Sequence, residues 1–189
     1  MDQDGSSSIA IGFVMKTINK NSVSLAGEFA VLSQLALRGY DANMTLGHTK
    51  SVDILVSDPK KKKMYQLEVK TNFKNSRNKP SVSKVHWKAV SGWIMKKEHE
   101  SINIPTLFYC FVNISRDTNN FKFYIVPSRV VAKYVKDQHD LWIREKKKES
   151  KEVKDGDMRI FRIGVDGEKY PILTPTAKRY EDNWDFRSK

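Results

Sequence analysis

Hydrophobic and polar positions follow two different periods along this chain, and the clearest helical period lies near the N-terminus. Between residues 24 and 38, apolar side chains recur every three or four positions, as they do on one face of a helix. The apolar side of this predicted helix carries Leu25, Phe29, Leu32, Leu35 and Ala36. Ser24 could cap its start and Gly39 could end it. We therefore predict a first helix over residues 24–38.

Apolar runs bounded by turn residues predict the strands. These runs cover residues 40–46, 51–57, 64–73, 104–114, 121–126 and 158–165. The second and third are separated by a turn with the sequence Asp-Pro-Lys-Lys-Lys-Lys at residues 58–63, so we expect them to form a hairpin. The fourth run is nearly continuous, as expected of a strand covered on both faces, and it places Cys110 in the core.

Two more helices are predicted in the middle of the chain. Residues 84–100 repeat apolar positions at spacings of three and four, and residues 127–143 form an amphipathic pattern. A charge-dense stretch, residues 144–157, follows as an exposed helix end or a loop. Together the elements predict an α/β layered fold, in which helices pack against a mixed sheet.

Composition indicates which class of binding partner and which cellular compartment to expect. Lys and Arg number 34 against 22 acidic residues, which gives a formal net charge of +12. This balance favours a polyanionic partner, nucleic acid before an anionic membrane surface, with general solubility as the plain alternative. A single cysteine fits a reducing cytoplasm. No apolar stretch reaches the roughly 20 residues needed to span a bilayer, so no membrane association is expected.

The hairpin carries the candidate chemistry. Residues two apart on a strand point to the same side, so Gln66, Glu68 and Lys70 share one face of the predicted third strand. Asp53 lies at the head of the preceding strand and can fall beside them. Two carboxylates and an ammonium on one sheet face could bind magnesium and suit phosphodiester hydrolysis. The plain alternative is a surface ion pair between Glu68 and Lys70, with Asp53 ending a turn.

This set of residues resembles the PD-(D/E)xK phosphodiesterase superfamily. Asp53 matches the first acid of its motif, and Glu68-Val69-Lys70 matches the second acid and the lysine. Gly27-Glu28 in the first helix resembles the upstream motif whose Glu contributes to the metal site in many members. Val52 stands where the motif name implies a proline, which is often absent in the superfamily.

The resemblance covers roughly residues 24–126 and implies a restriction-endonuclease-like fold, a three-layer core with a central mixed β-sheet flanked by helices. In compactness, the chain looks similar to Holliday junction resolvases and small Mrr-like nucleases. We predict a single domain with an N-terminal tail and lead-in over 1–20, a nuclease core over 21–143 and a basic extension over 144–189, packed on or beside the core.

By this resemblance, Asp53 and Glu68 would bind Mg²⁺ directly, with Mn²⁺ able to substitute, and the carbonyl of Val69 would complete the ligand set. Lys70 would orient or deprotonate the attacking water and neutralise charge on the phosphoryl oxygens. Glu28 would bind a second metal ion or hold a water ligand of the first. These residues would form the catalytic site of a magnesium-dependent endonuclease.

Other polar residues are candidates for contacts with substrate. Gln66 could contact water or phosphate, and His48 could approach a phosphate, although a loop histidine is more often only exposed to solvent. A run of basic residues follows the third strand and could bind the DNA backbone: Lys74, Arg77, Lys79, Lys84 and Lys88.

The predicted function is therefore cleavage of DNA, either duplex or branched. A non-catalytic nucleic-acid-binding or assembly module on the same fold remains an alternative, as does a basic protein that acts on another macromolecule. A junction-resolving enzyme would need to be a symmetric homodimer, for which the exposed face of 127–143 could serve. The sequence leaves restriction, repair and junction-resolving roles open.

Overall fold

The computed structural model of the protein describes residues 18–45, 52–74, 92–149, 152–164 and 172–186. Its helices and strands in chain order are α1 (Lys20–Ala36), β1 (Asp41–Met44), β2 (Ile54–Asp58), β3 (Lys63–Lys74), β4 (Gly92–Lys96), β5 (Leu107–Ser115), β6 (Phe121–Pro127), α2 (Ser128–Lys148), β7 (Met158–Arg162) and α3 (Ala177–Tyr180). A short 3-10 helix, Lys97–Glu100, stands between β4 and β5.

The central sheet has five strands in the order β1-β2-β3-β5-β6. Its neighbouring strands are antiparallel except for β3 and β5, which are parallel. The strands β4 and β7 form a separate antiparallel ribbon. This arrangement confirms the predicted α/β class with a mixed central sheet.

Apolar side chains cover both faces of the sheet. On β5, Phe108, Cys110 and Val112 pack on the face covered by α1. The alternate residues Tyr109 and Phe111 pack on the other face, with α2 and the β4–β7 ribbon. The described chain is therefore layered on both sides of the sheet, and Cys110 is a core residue, as predicted.

The first helix begins earlier than predicted. Asn19 caps it, because its side chain accepts the N–H of Ser22 at 2.7 Å. The prediction of Ser24 as the cap is wrong, since the helix has already completed a turn there. At the other end Gly39 follows the helix with a φ of +78°, a left-handed conformation that favours glycine.

The packed face of α1 also differs from the prediction. Leu25 and Phe29 were expected to pack inward, but they are 43% and 57% exposed. The residues that face the sheet are Gly27, Val31 and Leu35. A glycine on the inner face lets the helix backbone approach the sheet closely. This close approach, rather than the size of the apolar side chains, determines which face of α1 packs against the sheet.

The predicted helix over 84–100 is wrong where the structure describes it. Residues 84–91 lie outside the described part, and the remainder is β4 followed by the 3-10 helix. Trp93 and Met95 are buried while Ile94 and Lys96 are exposed, which is the period of two of a half-buried strand. Pairing with β7 therefore determines that this segment is a strand and not a helix.

The other strands agree with the prediction to within a few residues, including β7, which begins at Met158. Helix α2 runs on to Lys148, so the charge-dense stretch begins as the exposed end of a helix. Near the C-terminus, Trp184 and Phe186 pack into the core on the α1 side of the sheet. None of the helices in the described ranges is long and apolar enough to cross a membrane.

Candidate active site

The hairpin places Asp53 beside the part of β3 that carries Glu68. Ile54 pairs with Leu67 in the β2–β3 ladder, and Asp53 precedes Ile54 by one residue. The N–H of Asp53 donates to the carbonyl of Leu67 at 2.8 Å, and the carbonyl of Asp53 accepts the N–H of Thr45 at 2.9 Å. Both acids therefore lie at the open end of the hairpin, away from its turn.

Asp53 is held by a backbone donor. Its Oδ2 accepts the N–H of Val69 at 2.7 Å, which fixes the orientation of the carboxylate. Burial raises the pKa of Asp53 above its ordinary value, and the negative charge of Glu68 adds to this, while the Val69 N–H and the Lys70 ammonium only partly offset it. A cation at this position would relieve the cost of the negative charge.

Glu68 is the most enclosed carboxylate of the site, with 4% of its surface exposed. Its Oε1 lies 2.5 Å from Nζ of Lys70 and 3.2 Å from Nε2 of His99. Burial alone would raise the pKa of Glu68, but the contacts with His99 and Lys70 outweigh it, so the pKa lies below its ordinary value. Among the residues that the structure describes, its buried Oε2 has no hydrogen bond within 3.5 Å. Tyr109 pairs with Glu68 between β3 and β5, and burial, then the charge of Glu68, raise the pKa of the Tyr109 hydroxyl.

The alternation of β3 explains why these residues share a face. Three of its residues anchor the strand in the core on the α1 side: Tyr65, Leu67 and Val69. The intervening Gln66, Glu68 and Lys70 therefore point to the opposite face, as the sequence pattern predicts. The strand thus uses one face for packing and the other for polar side chains.

Helix α1 brings Glu28 towards this end of the sheet. A Cβ at Gly27 would lie only 1.9 Å from Oγ1 of Thr71 on β3, so only glycine permits this approach. Glu28 is half-buried, and its Oε1 accepts a hydrogen bond from Ser24 at 3.2 Å. Burial, and then the charge of Asp53, raise the pKa of Glu28. Gly27 thus permits close packing of α1 on the sheet, and Glu28 lies near enough to Asp53 to interact with its charge.

His99 belongs to this site although no motif in the sequence indicates it. The ring is buried and contacts Glu68 from 31 positions along the chain. The 3-10 helix after β4 carries it across the sheet face. No local spacing encodes such a contact, because it depends on how the ribbon packs against the sheet.

Several predicted substrate contacts fall on residues that the structure does not describe. These are His48, Arg77, Lys79, Lys84 and Lys88. Lys74 is exposed at the end of β3, and Gln66 is half-buried on the same strand. Their contacts with phosphate stay a prediction.

The described residues do not form a ready-made cluster of metal ligands. Within the described ranges, no three His, Cys, Asp or Glu side chains converge closely enough to hold an ion. The geometry provides instead two neighbouring acids, Asp53 and Glu68, with Lys70 between solvent and Glu68. The donor atoms are hard oxygens, which Mg²⁺ prefers, and the unpartnered Oε2 of Glu68 is the kind of atom that a cation would satisfy.

Fold and site together define an α/β protein with a carboxylate–lysine site at the open end of a hairpin. No protein-family model matches the chain, and a search of curated proteins finds no match. Among solved structures, a bacterial homing endonuclease, I-Ssp6803I, is similar over 88% of this chain and 89% of that chain, with 14% sequence identity and a TM-score of 0.45. At this TM-score, the likeness establishes neither a shared fold nor a shared activity.

Proposed function

We propose that this protein is a metal-dependent DNA endonuclease, which hydrolyses phosphodiester bonds with Asp53, Glu68 and Lys70 in the PD-(D/E)xK arrangement. One observation carries the proposal: Asp53 lies close enough to Glu68 at the open end of the hairpin for the charge of Glu68 to raise its pKa, and a lysine contacts the more buried acid at 2.5 Å. A structural ion pair between Glu68 and Lys70 would not require the second acid.

The residues present fit Mg²⁺, with Mn²⁺ as a substitute. Asp53 and Glu68 would be the ligands, and Glu68 would bind through Oε2. The carbonyl of Val69 is a third candidate: its N–H points to Asp53, and the N–H and C=O of a residue in an antiparallel strand face the same neighbour. When bound, the cation would offset the negative charge of the phosphodiester oxygens and of the departing alkoxide.

Lys70 has the geometry to act on the attacking water. Its side chain is 30% exposed, whereas that of Glu68 beside it is 5% exposed, so the ammonium lies at the border between the buried acid and solvent. From there it can orient a water molecule, take up its proton or hold a phosphoryl oxygen. Glu28 would support a second ion or an ordered water from the α1 side.

The substrate class follows from charge. A formal net charge of +12 favours a polyanion, and Lys74 stands exposed on the same strand as the site. DNA, either duplex or branched, is the substrate that we propose. Cutting two opposed strands of a junction would require a symmetric homodimer.

A non-catalytic DNA-binding module on the same fold is the second candidate. It is favoured by the absence of a three-carboxylate cluster within the described ranges and by the pairing of Glu68 with Lys70. Both candidates predict binding to DNA that weakens with salt, but only the first predicts cleavage.

Lys70→Ala separates the two, and Lys63→Ala is its matched control, because Lys63 is an exposed lysine at the turn end of the same strand. We expect Lys70→Ala to lower the rate of plasmid cleavage in Mg²⁺ by about 10²- to 10⁴-fold while DNA binding changes little. Lys63→Ala should cleave like the wild type. Equal cleavage by both variants would contradict the assigned role of Lys70.

A further inference from the structure

We infer that His99 is a positioning residue for Glu68: it holds Oε1 so that Oε2 stays directed at the ligand cation. This rests on the proposed function. The ring is 3% exposed, and its Nε2 lies 3.2 Å from Oε1 of Glu68. A buried histidine at hydrogen-bond distance from a carboxylate oxygen can fix the orientation of that carboxylate.

The ring itself is fixed from its other side. Nδ1 of His99 lies 3.1 Å from both the N–H and the carbonyl of Lys96. Because the carboxylate of Glu68 can only accept, the hydrogen bond between them requires a proton on Nε2, which donates to Oε1. The ring of Tyr109 on β5 packs against the imidazole with a centroid separation of 5.8 Å.

The 3-10 helix that carries His99 is held by hydrogen bonds and ion pairs to residues 155–159. The N–H of Lys97 donates to Asp157 at 3.1 Å, and the ammonium of Lys97 pairs with Asp155 at 2.6 Å. Glu100 pairs with the buried Arg159 of β7. His99 therefore reaches Glu68 from a segment anchored at both ends, so the imidazole cannot follow a drifting carboxylate.

The two partners of Oε1 have different tasks. Lys70 is partly exposed to solvent and, in the proposed reaction, must contact the attacking water and the phosphate. His99 is buried and has no access to substrate, so its contact with Glu68 persists when Lys70 turns to the phosphate. A carboxylate held through one oxygen presents the other in a fixed direction, and that oxygen is the one without a partner among the described residues.

Three substitutions test this inference. His99→Ala removes the contact. His99→Gln keeps an N–H donor long enough to reach Oε1, whereas His99→Asn keeps polarity but is too short. Asn183→Ala is the control, because the side chain of this exposed residue donates to the carbonyl of Arg179 at 2.9 Å and not to Glu68. The readout is Mn²⁺ affinity without DNA, measured by calorimetry, beside metal-free DNA binding and the Mg²⁺ dependence of cleavage.

We expect His99→Ala and His99→Asn to weaken Mn²⁺ binding by about 10- to 100-fold, as loss of a group that orients a metal ligand does. His99→Gln should recover most of the affinity, and Asn183→Ala should match the wild type. DNA binding without metal should not change in any variant. If His99→Ala does not fold, the Gln and Asn variants carry the comparison.

Equal Mn²⁺ affinity in the wild type and in the folded Asn and Gln variants would overturn the positioning role and leave the nuclease proposal intact. A wild type that neither binds Mn²⁺ nor cleaves DNA would overturn the proposed function and this inference with it.

Discussion

Each end of the β2–β3 hairpin carries an aspartate, and the two aspartates differ in how fully their carboxylates are hydrogen-bonded. At the turn, Oδ1 of Asp58 accepts the N–H groups of Lys60 and Lys61, both at 3.0 Å, and its Oδ2 pairs with the Lys61 ammonium at 3.3 Å. At the open end, Asp53 has one backbone donor at 2.7 Å and a second acid, Glu68, whose charge acts on it. The carboxylate of Asp58 is fully paired, whereas that of Asp53 has one backbone donor, although Glu68 beside it is paired with Lys70.

The pKa shifts follow this contrast. Burial alone would raise the pKa of Asp58, but the N–H groups and the ammonium around it outweigh burial, so its pKa lies below the ordinary value. For Asp53, burial prevails and the pKa is raised. A carboxylate with a lowered pKa contributes to stability when ionised, whereas one with a raised pKa costs stability, and in the proposed function a bound cation would offset the cost at Asp53.

The largest effect should come from exchanging each Asp for Asn. In Asp53→Asn the amide oxygen can still accept the Val69 N–H, but the charge that would hold a cation is lost. Cleavage should fall at least about a hundredfold. Its thermal midpoint should match or exceed that of the wild type at neutral pH, because the ionised Asp53 costs stability there.

The control, Asp58→Asn, should show the reverse: cleavage like the wild type and a lower thermal midpoint. Nicking rates and thermal unfolding of the two variants measure both effects. Equal loss of activity in the two variants would remove the functional distinction between the ends of the hairpin.

A smaller effect is expected where the open end meets α1. Gly27→Ala would place a Cβ 1.9 Å from Oγ1 of Thr71, so the helix must shift and carry Glu28 away from Asp53. We expect a loss of about 1–3 kcal/mol in the free energy of unfolding, together with slower cleavage. Gly156→Ala is the control: it has no atom within 4 Å and should change stability by less than about 0.5 kcal/mol. Urea unfolding of both variants measures the difference, and similar values for the two would disprove the close approach.

The smallest effect is the pH dependence of the turn end. Because the pKa of Asp58 is lowered in the folded state, its contribution to stability is present above the ordinary value of 3.8 and is lost as the pH falls through the folded pKa. The difference in unfolding free energy between the wild type and Asp58→Asn should therefore be largest near neutral pH and shrink below pH 3.8. Urea unfolding over a series of pH values tests this. A difference that does not vary with pH would show that the charge of Asp58 adds no stability.

Local pattern sufficed for the hairpin and its polar face. A turn between two apolar runs fixes the register, and a period of two then places Glu68 and Lys70 together with Asp53 beside them. The α/β class follows from the same order of elements. These features depend on neighbours in sequence, so a single chain contains the information.

What the sequence could not give depends on contacts between distant elements. The inner face of α1 is set by a glycine against Thr71, so the larger Leu25 and Phe29 remain exposed. The segment after Gly92 follows its pairing with β7 rather than its apolar spacing. His99 reaches Glu68 only because that ribbon packs on the sheet, and no motif indicates this.

The most direct test of the central claim is cleavage of a supercoiled plasmid and a four-way junction by the wild type, Glu68→Gln and Glu98→Gln. Glu98 is an exposed glutamate next to His99, so it controls for loss of charge without loss of the site. We predict cleavage by the wild type with Mg²⁺ or Mn²⁺, none with a chelator, none by Glu68→Gln, and full activity in Glu98→Gln. DNA binding without cleavage by the wild type in either metal, or cleavage by Glu68→Gln at the wild-type rate, would contradict the assignment of this site as a nuclease centre.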